Sequence, residues 1–296
     1  MRALLAPFIF VIHFCLQVLN LALWGGLIII LGLVKLILPL QVLRGAMLSV
    51  MHLLMFAFGK CSVFFIRLFN PVTIDVNIDG SLSKQSWYLI VANHLSYLDI
   101  ILLIEFAAGR IPAPKFFLKQ ELIWLPFVGL GAWALDMPFM RRYSRAYLAK
   151  HPEKKGKDLA TTRAYCDKFR TTPTTVINFV EGTRFTTRKH QSKASPYQHL
   201  LPPKAGGVAF TLAAMGQLFT NVLDVSLVYP ENTRHPMMAM LCGKMTRIII
   251  DVKVLDVPDQ KIVPTDADSD ARHYFHDWLN QLWGSKDNHI KRLLER

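Results

Sequence analysis

Trp87-Tyr88-Leu89-Ile90-Val91-Ala92 runs directly into Asn93-His94-Leu95-Ser96-Tyr97-Leu98-Asp99. An unbroken apolar run of this length predicts a strand buried on both faces. Residues 97–108 read as a helix, so the polar turn between the two carries a histidine and an aspartate. The same alternation continues outward. Val72 to Asp79 alternates apolar and polar, the period of a half-buried strand, and Gly80 ends it. Thr174 to Val180 predicts a further buried strand, and residues 205–215 a helix of small apolar residues packed on a sheet. Asp224 to Tyr229 and Arg247 to Val257 read as later strands. Asp266 to Trp283 reads as an amphipathic helix, with acids favouring its first turn and Ala271, Phe275, Trp278 and Leu282 on one face. The polar, basic stretch 186–204 reads as a long surface loop. Strands alternating with helices over residues 71–296 predict an α/β domain.

Residues 1–70 have a different texture. No charge occurs from Ala3 to Val34, a run longer than the roughly 20 residues that span a bilayer. It is too long for a signal peptide, and no small-residue cleavage site follows. A polar hinge, Lys35 to Arg44, contains Pro39. A second apolar run, Gly45 to Phe69, is interrupted by His52, Lys60 and Arg67. The expectation is a membrane-anchoring helical hairpin. Either it crosses the bilayer or it lies in the interface with Lys60 and Arg67 snorkelling. Cations in the hinge compete with those beyond the second run, so charge leaves the orientation open.

The chain has 296 residues, of which 52% are hydrophobic and 19% charged, a balance that excludes disorder over most of its length. The net charge of +13 is concentrated: residues 110–204 hold 18 basic and 6 acidic side chains. That stretch is expected to face something anionic. It carries no RRM, KH or helix-turn-helix signature, which argues against a nucleic-acid partner. The four cysteines, Cys15, Cys61, Cys166 and Cys242, form no CxxC pair, and no HExxH occurs. Neither a metal site nor a cofactor is expected, and a reducing, cytosol-facing catalytic part is the simpler reading.

Three segments carry chemistry. In His94…Asp99 the five-residue spacing separates the side chains on one straight helix. A strand ending at Asn93 and a helix beginning near Ser96 would fold His94 back to Asp99. The carboxylate would then fix one imidazole nitrogen and leave the other as a base for an alcohol. The alternative is a helix-capping turn with a surface aspartate. Glu181-Gly182-Thr183-Arg184 supplies a turn glycine, a hydroxyl and a guanidinium, which suit a phosphate; an ordinary turn with a solvated arginine is the other reading. Arg141-Arg142, after Met137-Pro138-Phe139-Met140, offers a second anion contact or a solvated basic edge.

Together these segments resemble the glycerolipid acyltransferase family, which includes the lysophosphatidic acid acyltransferases. The resemblance covers roughly Val72 to Pro230. Arg142, preceded by Phe139, sits where that family's second motif has its arginine, with Arg141 competing for the place. Pro202-Pro203-Lys204-Ala205-Gly206 matches the segment before its helix, and Val228-Tyr229-Pro230 its fourth motif. The N-terminal hairpin and the basic insertion look closer to the lysocardiolipin-acyltransferase-like branch than to the shortest bacterial members. The resemblance implies a mixed sheet flanked by helices. It implies acyl transfer from acyl-CoA or acyl carrier protein to the free hydroxyl of a lysophospholipid. Lysophosphatidic acid is the first expectation, with lysocardiolipin, lysophosphatidylglycerol or a lipid hydrolase as alternatives. His94 is then the general base, Asp99 its orienter, and Glu181, Gly182, Thr183, Arg184, Arg141, Arg142 and Lys204 the substrate-binding set. The positive stretch would meet anionic headgroups and the donor's phosphates or an acidic carrier. No GxSxG elbow is present, so the acceptor hydroxyl attacks directly. The protein is expected at the membrane, its catalytic part facing the cytoplasm.

Overall fold

The inner strands of the central sheet are short and largely apolar, and their position follows from which side chains they can bury. The computed structural model describes residues 2–37, 41–140, 169–264 and 269–295. Two long helices come first, α1 (Arg2–Ile37) and α2 (Gln41–Phe69). They are followed by β1 (Thr73–Asp79), β2 (Tyr88–Ala92), α3 (Leu98–Ala107), β3 (Pro114–Phe116), β4 (Leu118–Lys119), a 3-10 turn (Gln120–Trp124), α4 (Val128–Ala134) and β5 (Phe139–Met140). Then come β6 (Thr175–Phe179), α5 (Thr187–Ser192), α6 (Ala205–Met215), β7 (Asn221–Val228), α7 (Pro236–Leu241), β8 (Arg247–Leu255) and α8 (Ser269–Leu294). The main sheet has the order β1-β8-β7-β2-β6-β3, while β4 and β5 pair separately. β7, β2, β6 and β3 are mutually parallel; β8 runs antiparallel to β7 and parallel to β1. The sheet is therefore mixed, as the resemblance implied.

The pleat sorts the core into two layers. Tyr88, Ile90 and Ala92 of β2 face the side covered by α3 and the hairpin. Leu89 and Val91 face the side covered by α6 and α8, where they meet Val208, Leu212, Phe275 and Trp283. A strand buried on both faces needs apolar residues at every position, which is why β2 reads as a continuous run.

The hairpin packs on the first of these layers. Ile28, Met51, Met55, Val63 and Ile66 belong to the same buried cluster as Leu102 and Phe106 of α3. Between the helices, Asn20 donates to Ser62 Oγ at 2.8 Å and to the Phe58 carbonyl, and Gln17 to the Ser62 carbonyl. Contacts with the α/β part run along both helices. Ile9 meets Gly243, Gly25 meets Phe127, and Lys35 donates to Ala134 O and pairs with Asp136 at 2.9 Å. On α2, His52 meets Lys115 and Gly59 lies against Ile104. The opposite faces are bare: Phe8, Leu19, Leu23, Ile30, Ile37, Leu53 and Phe64 are exposed, and Trp124, beside α4, is 87% exposed.

Several elements differ from the sequence reading. β7 begins at Asn221, ahead of the expected Asp224, because Asn221 and Val222 pair with Tyr88 and Leu89. The stretch 186–204 is not a plain surface loop: it contains α5, and Leu200 and Leu201 are fully buried. α8 continues to Leu294, beyond the expected Trp283. Its buried stripe is Ala271, Phe275, Leu279, Trp283, Lys286 and Ile290, with Trp278 and Leu282 at the margin. A lysine on that stripe masked the continuation. Arg141, Arg142 and Cys166 lie outside the described residues, as do Asp266 and Asp268.

Gly59 fixes the approach of α2 to α3. A Cβ there would stand 2.8 Å from Ile104 Cγ2 and 3.2 Å from the Glu105 nitrogen. Gly59→Leu overpacks this contact, a change that costs roughly 1–3 kcal/mol. The expected outcome is a midpoint several degrees lower in thermal unfolding of the detergent-solubilised protein. An unchanged midpoint would show that the helices do not meet there.

Candidate active site

β2, β6 and β7 are parallel neighbours, so their carboxyl ends lie side by side, the edge at which open α/β sheets place ligands. The chain leaving each end supplies one part of the site. After β2, the Asn93 side chain acts as an extra rung: its Nδ2 donates to Leu227 O at 2.9 Å and its Oδ1 accepts from Leu227 N at 2.8 Å. That holds the strand end in register while the backbone turns away to His94.

The turn is folded around one carboxylate. Asp99 sits in the first turn of α3 and is fully buried. Its Oδ2 accepts from His94 Nδ1 at 2.8 Å, Leu95 N at 2.7 Å and Ser96 N at 2.9 Å. Its Oδ1 accepts from the Tyr229 hydroxyl, which arrives from the end of β7. The structure thus brings His94 and Asp99 together as the turn predicted. A carboxylate only accepts, so Nδ1 of His94 is the donor, and in the neutral ring Nε2 is then the acceptor. The imidazole stacks on Phe179 of β6, ring centroids 4.0 Å apart, and keeps 12% of its side chain accessible. Burial, then the Asp99 charge and hydrogen bond, raise the Tyr229 phenol well above its ordinary pKa, so it remains a donor.

The third segment is stitched to the first. Val180 N donates to Ala92 O, and Phe185 N to His94 O at 2.7 Å. Gly182 takes a positive φ of 65° to make the turn between them, a conformation that favours glycine. Arg184 is exposed and lies over the Tyr97 ring, 3.9 Å from its centroid, on the loop that carries His94. Lys189 of α5 donates to Thr183 Oγ1 at 2.8 Å and to Arg184 O. Partial burial, followed by the like charges of Arg184, Lys193, Lys119 and Arg188, pushes the Lys189 pKa down. Such a crowd of cations attracts anions. Lys204 immediately precedes α6; its backbone N–H donates to Val180 O, and its side chain is exposed.

Glu181 departs from the expectation of a substrate-facing group. Its side chain is turned inward and fully buried, with neither carboxyl oxygen completing a hydrogen bond. Burial raises its pKa to about 8, against the smaller opposing pull of the His94 and Leu201 backbone amides and of Lys286. The cause is local: β6 pairing extends through Val180, and the turn at Gly182 comes only afterwards. Lys286 itself, from α8, is buried beneath the sheet. It donates to Val91 O at 3.1 Å and Val225 O at 2.6 Å and pairs with Asp224. Tyr229, Lys189, Lys119 and Lys286 escaped the sequence reading as site residues. Only Tyr229 had a signal, as part of a matched segment. No cluster of three or more potential metal ligands occurs among the described residues.

A family model described as Acyltransferase matches residues 73–230. The 1-acyl-sn-glycerol-3-phosphate acyltransferase delta of Homo sapiens is 26% identical over 213 residues, 67% of this chain and 51% of that protein. This chain thus spans about half the length of that relative. An uncharacterized acyltransferase of Schizosaccharomyces pombe is 22% identical over 260 residues, 78% of this chain and 70% of its own. Among solved structures, the 1-acyl-sn-glycerophosphate (LPA) acyltransferase PlsC of Thermotoga maritima has a TM-score of 0.62 and 18% identity over 98% of each chain, a likeness of fold.

Glu181 makes the electrostatics of the loop testable. Its native pKa of about 8 lies above the ordinary 4.5. Its contribution to stability is therefore full below pH 4.5 and is lost as pH rises through 8. In that window the wild-type protein loses up to about 1.4 kcal/mol per pH unit from this group alone. Glu181→Gln removes the slope and leaves every other titration shared. The melting temperature of Glu181→Gln relative to wild type should rise steadily from pH 5 to pH 8; parallel profiles would place the carboxyl in contact with water.

Proposed function

This chain belongs to the acyltransferase family, and from that membership and the geometry of His94 we propose that it acylates a lysophospholipid at a membrane surface. The observation that carries the reading is the Asp99-held imidazole beside the Arg184–Lys189 cations. In this reading His94 Nε2 removes the proton from the acceptor's free hydroxyl as the oxygen attacks the thioester carbonyl of acyl-CoA or acyl carrier protein. The tetrahedral intermediate collapses, the C–S bond breaks, and the departing sulfur takes the proton from the imidazolium. Asp99 stabilises the transient cation and holds the ring, and Tyr229 holds Asp99. Arg184, with Thr183 and Gly182 of the same turn, receives the acceptor's phosphate, and Lys204 and Arg141 or Arg142 are the further anion contacts in this reading. The relatives named above for 1-acyl-sn-glycerol-3-phosphate support lysophosphatidic acid as acceptor and phosphatidic acid as product.

The test is purified protein with labelled acyl-CoA and a panel of lysolipids, products resolved by mass spectrometry. Acylated lysophosphatidic acid supports the reading. Label transferred only to lysocardiolipin or lysophosphatidylglycerol moves the acceptor, and free fatty acid without acceptor makes the protein a hydrolase. His94→Ala should lower turnover by roughly 10²–10⁴ with membrane binding retained; near wild-type turnover would remove the chemistry.

Arg184→Ala should raise the KM for the phosphorylated acceptor about tenfold or more, since a charge-assisted hydrogen bond contributes roughly 1.5–3 kcal/mol. Arg184→Lys should recover only part of this, having lost the planar fork. A shift confined to the donor KM would transfer Arg184 to the thioester side.

The anchor reading also sharpens. From Ile9 to Lys35, α1 touches the α/β part over 26 residues, about 39 Å of helix. That exceeds the roughly 30 Å hydrocarbon core, so an upright crossing would draw the catalytic part into lipid. We read the hairpin as lying in the cytoplasmic interface, bare faces down. Cysteines placed at residues 26 and 45 of a Cys-less variant should both react with an impermeant maleimide from the protein side of sealed vesicles. Protection of one until the bilayer is breached would mean a true span.

A further inference from the structure

Away from His94 the described residues line an open groove of about 590 Å³ between α2 and the turn that follows α3, within the roughly 300–1,000 Å³ range of ligand pockets. His94 and Asp99 stand at the amino end of α3 and this groove at its carboxyl end, a helix length of about 15 Å away. No residue of the site described above lines it. Its walls are apolar: Leu53 and Phe56 from α2, Ile111 and Pro112 from the turn. Its polar groups are Ser49, His52 and two cations, Lys60 on α2 and Lys84 from the β1–β2 loop, and no acid lines it. Both lysines are exposed.

A third amine stands behind the wall. Lys115 of β3 is buried, and its Nζ is 2.9 Å from Nε2 of His52, a lining residue. The amine donates to Leu135 O, and the nearest acid acting on it, Asp136, is already paired with Lys35. Burial lowers the Lys115 pKa to about 7, so an anion bound nearby would favour its charged form.

An occupant must therefore be apolar along α2 and anionic at the rim. It must also reach a groove whose outer wall is a helix of the apolar hairpin, Leu53 being 65% exposed on it. A soluble anion matches the lysines but not the apolar walls, and a neutral lipid matches the walls but not the charge. We propose that this groove holds an anionic phospholipid of the host bilayer, one acyl chain lying along α2 and the phosphate at Lys60 and Lys84, as a lipid site separate from the acyl-transfer site. The proposal does not rest on the transfer chemistry, and its test needs no turnover.

The test uses the full chain bound to phosphatidylcholine vesicles. A minor fraction of phosphatidylglycerol carries a photoactivatable group on one acyl chain. After illumination, crosslinked peptides are mapped by mass spectrometry, and the same is done with a photoactivatable phosphatidylcholine. The expected result is phosphatidylglycerol crosslinks on residues 49–60 and 108–113. Lys60→Gln/Lys84→Gln should reduce them about thirtyfold, from the typical effect of two lysines near an anionic lipid. Ala57→Trp, which fills the groove and leaves both lysines in place, should reduce them as well. Equal labelling by the phosphatidylcholine probe, or labelling unchanged in the double lysine variant, would overturn the proposal. So would crosslinks confined to the outer faces of α1.

Discussion

A single buried carboxylate organises the site. Asp99 receives a hydrogen bond from each of four groups, the His94 ring, two backbone amides and the Tyr229 hydroxyl. Those donors come from the end of β2, the start of α3 and the end of β7. The carboxylate therefore closes the turn, sets the imidazole tautomer and ties two neighbouring strand ends at once. Desolvating a carboxylate costs several kcal/mol unless donors replace the lost water. Here the replacements are themselves the parts that must be aligned. Local order at His94 is thus inseparable from the satisfaction of Asp99, and misplacing any one donor leaves an under-solvated charge beside the base.

What the sequence disclosed follows from how local each signal is. β2, α3 and the His94 turn are continuous in the chain, and their apolar run, polar turn and helix could be read directly. α6 was legible to the residue, because Ala205 to Met215 packs small side chains against the sheet. Tyr229 is 130 residues from Asp99, and its hydroxyl reaches the carboxylate only because β7 pairs with β2. Spacing carries no trace of that neighbour relation. The inward turn of Glu181 was equally hidden, since a glutamate before a glycine in a basic segment looks like a surface group.

Lysines account for the other departures. Lys115 interrupts a three-residue strand, and Lys286 occupies a core position of α8; both contradict an apolar pattern and so conceal the elements that hold them. Each is tolerated because carbonyl oxygens are waiting: Leu135 O for Lys115, Val91 O and Val225 O for Lys286. The second lysine also has Asp224 as counter-charge. In a sheet whose parallel strands end at the site, such amines brace the strand from beneath, while the working face stays free for His94 and its neighbours. Among the described residues the positive charge is thus of two kinds: a surface set around Arg184, and a set built into the packing.

The position of β8 in the sheet has a further consequence, for synthesis. β8 lies between β1 and β7, and Thr73 faces Arg247 across the ladder. At about 5–20 residues per second, β1 waits roughly 10–35 s after leaving the ribosome before its partner exists. The faces of α1 and α2 that pack on the α/β part gain their partners piecemeal during that interval: Ile104, Phe127 and Ala134 come early, and Gly243, which Ile9 meets, only near its end. A nascent chain of this design is exposed to aggregation unless the bilayer takes up the hairpin first. On the proposed membrane reading, lipid would be the temporary partner that the finished α/β part later replaces on one side, and the membrane would take part in the folding of this protein.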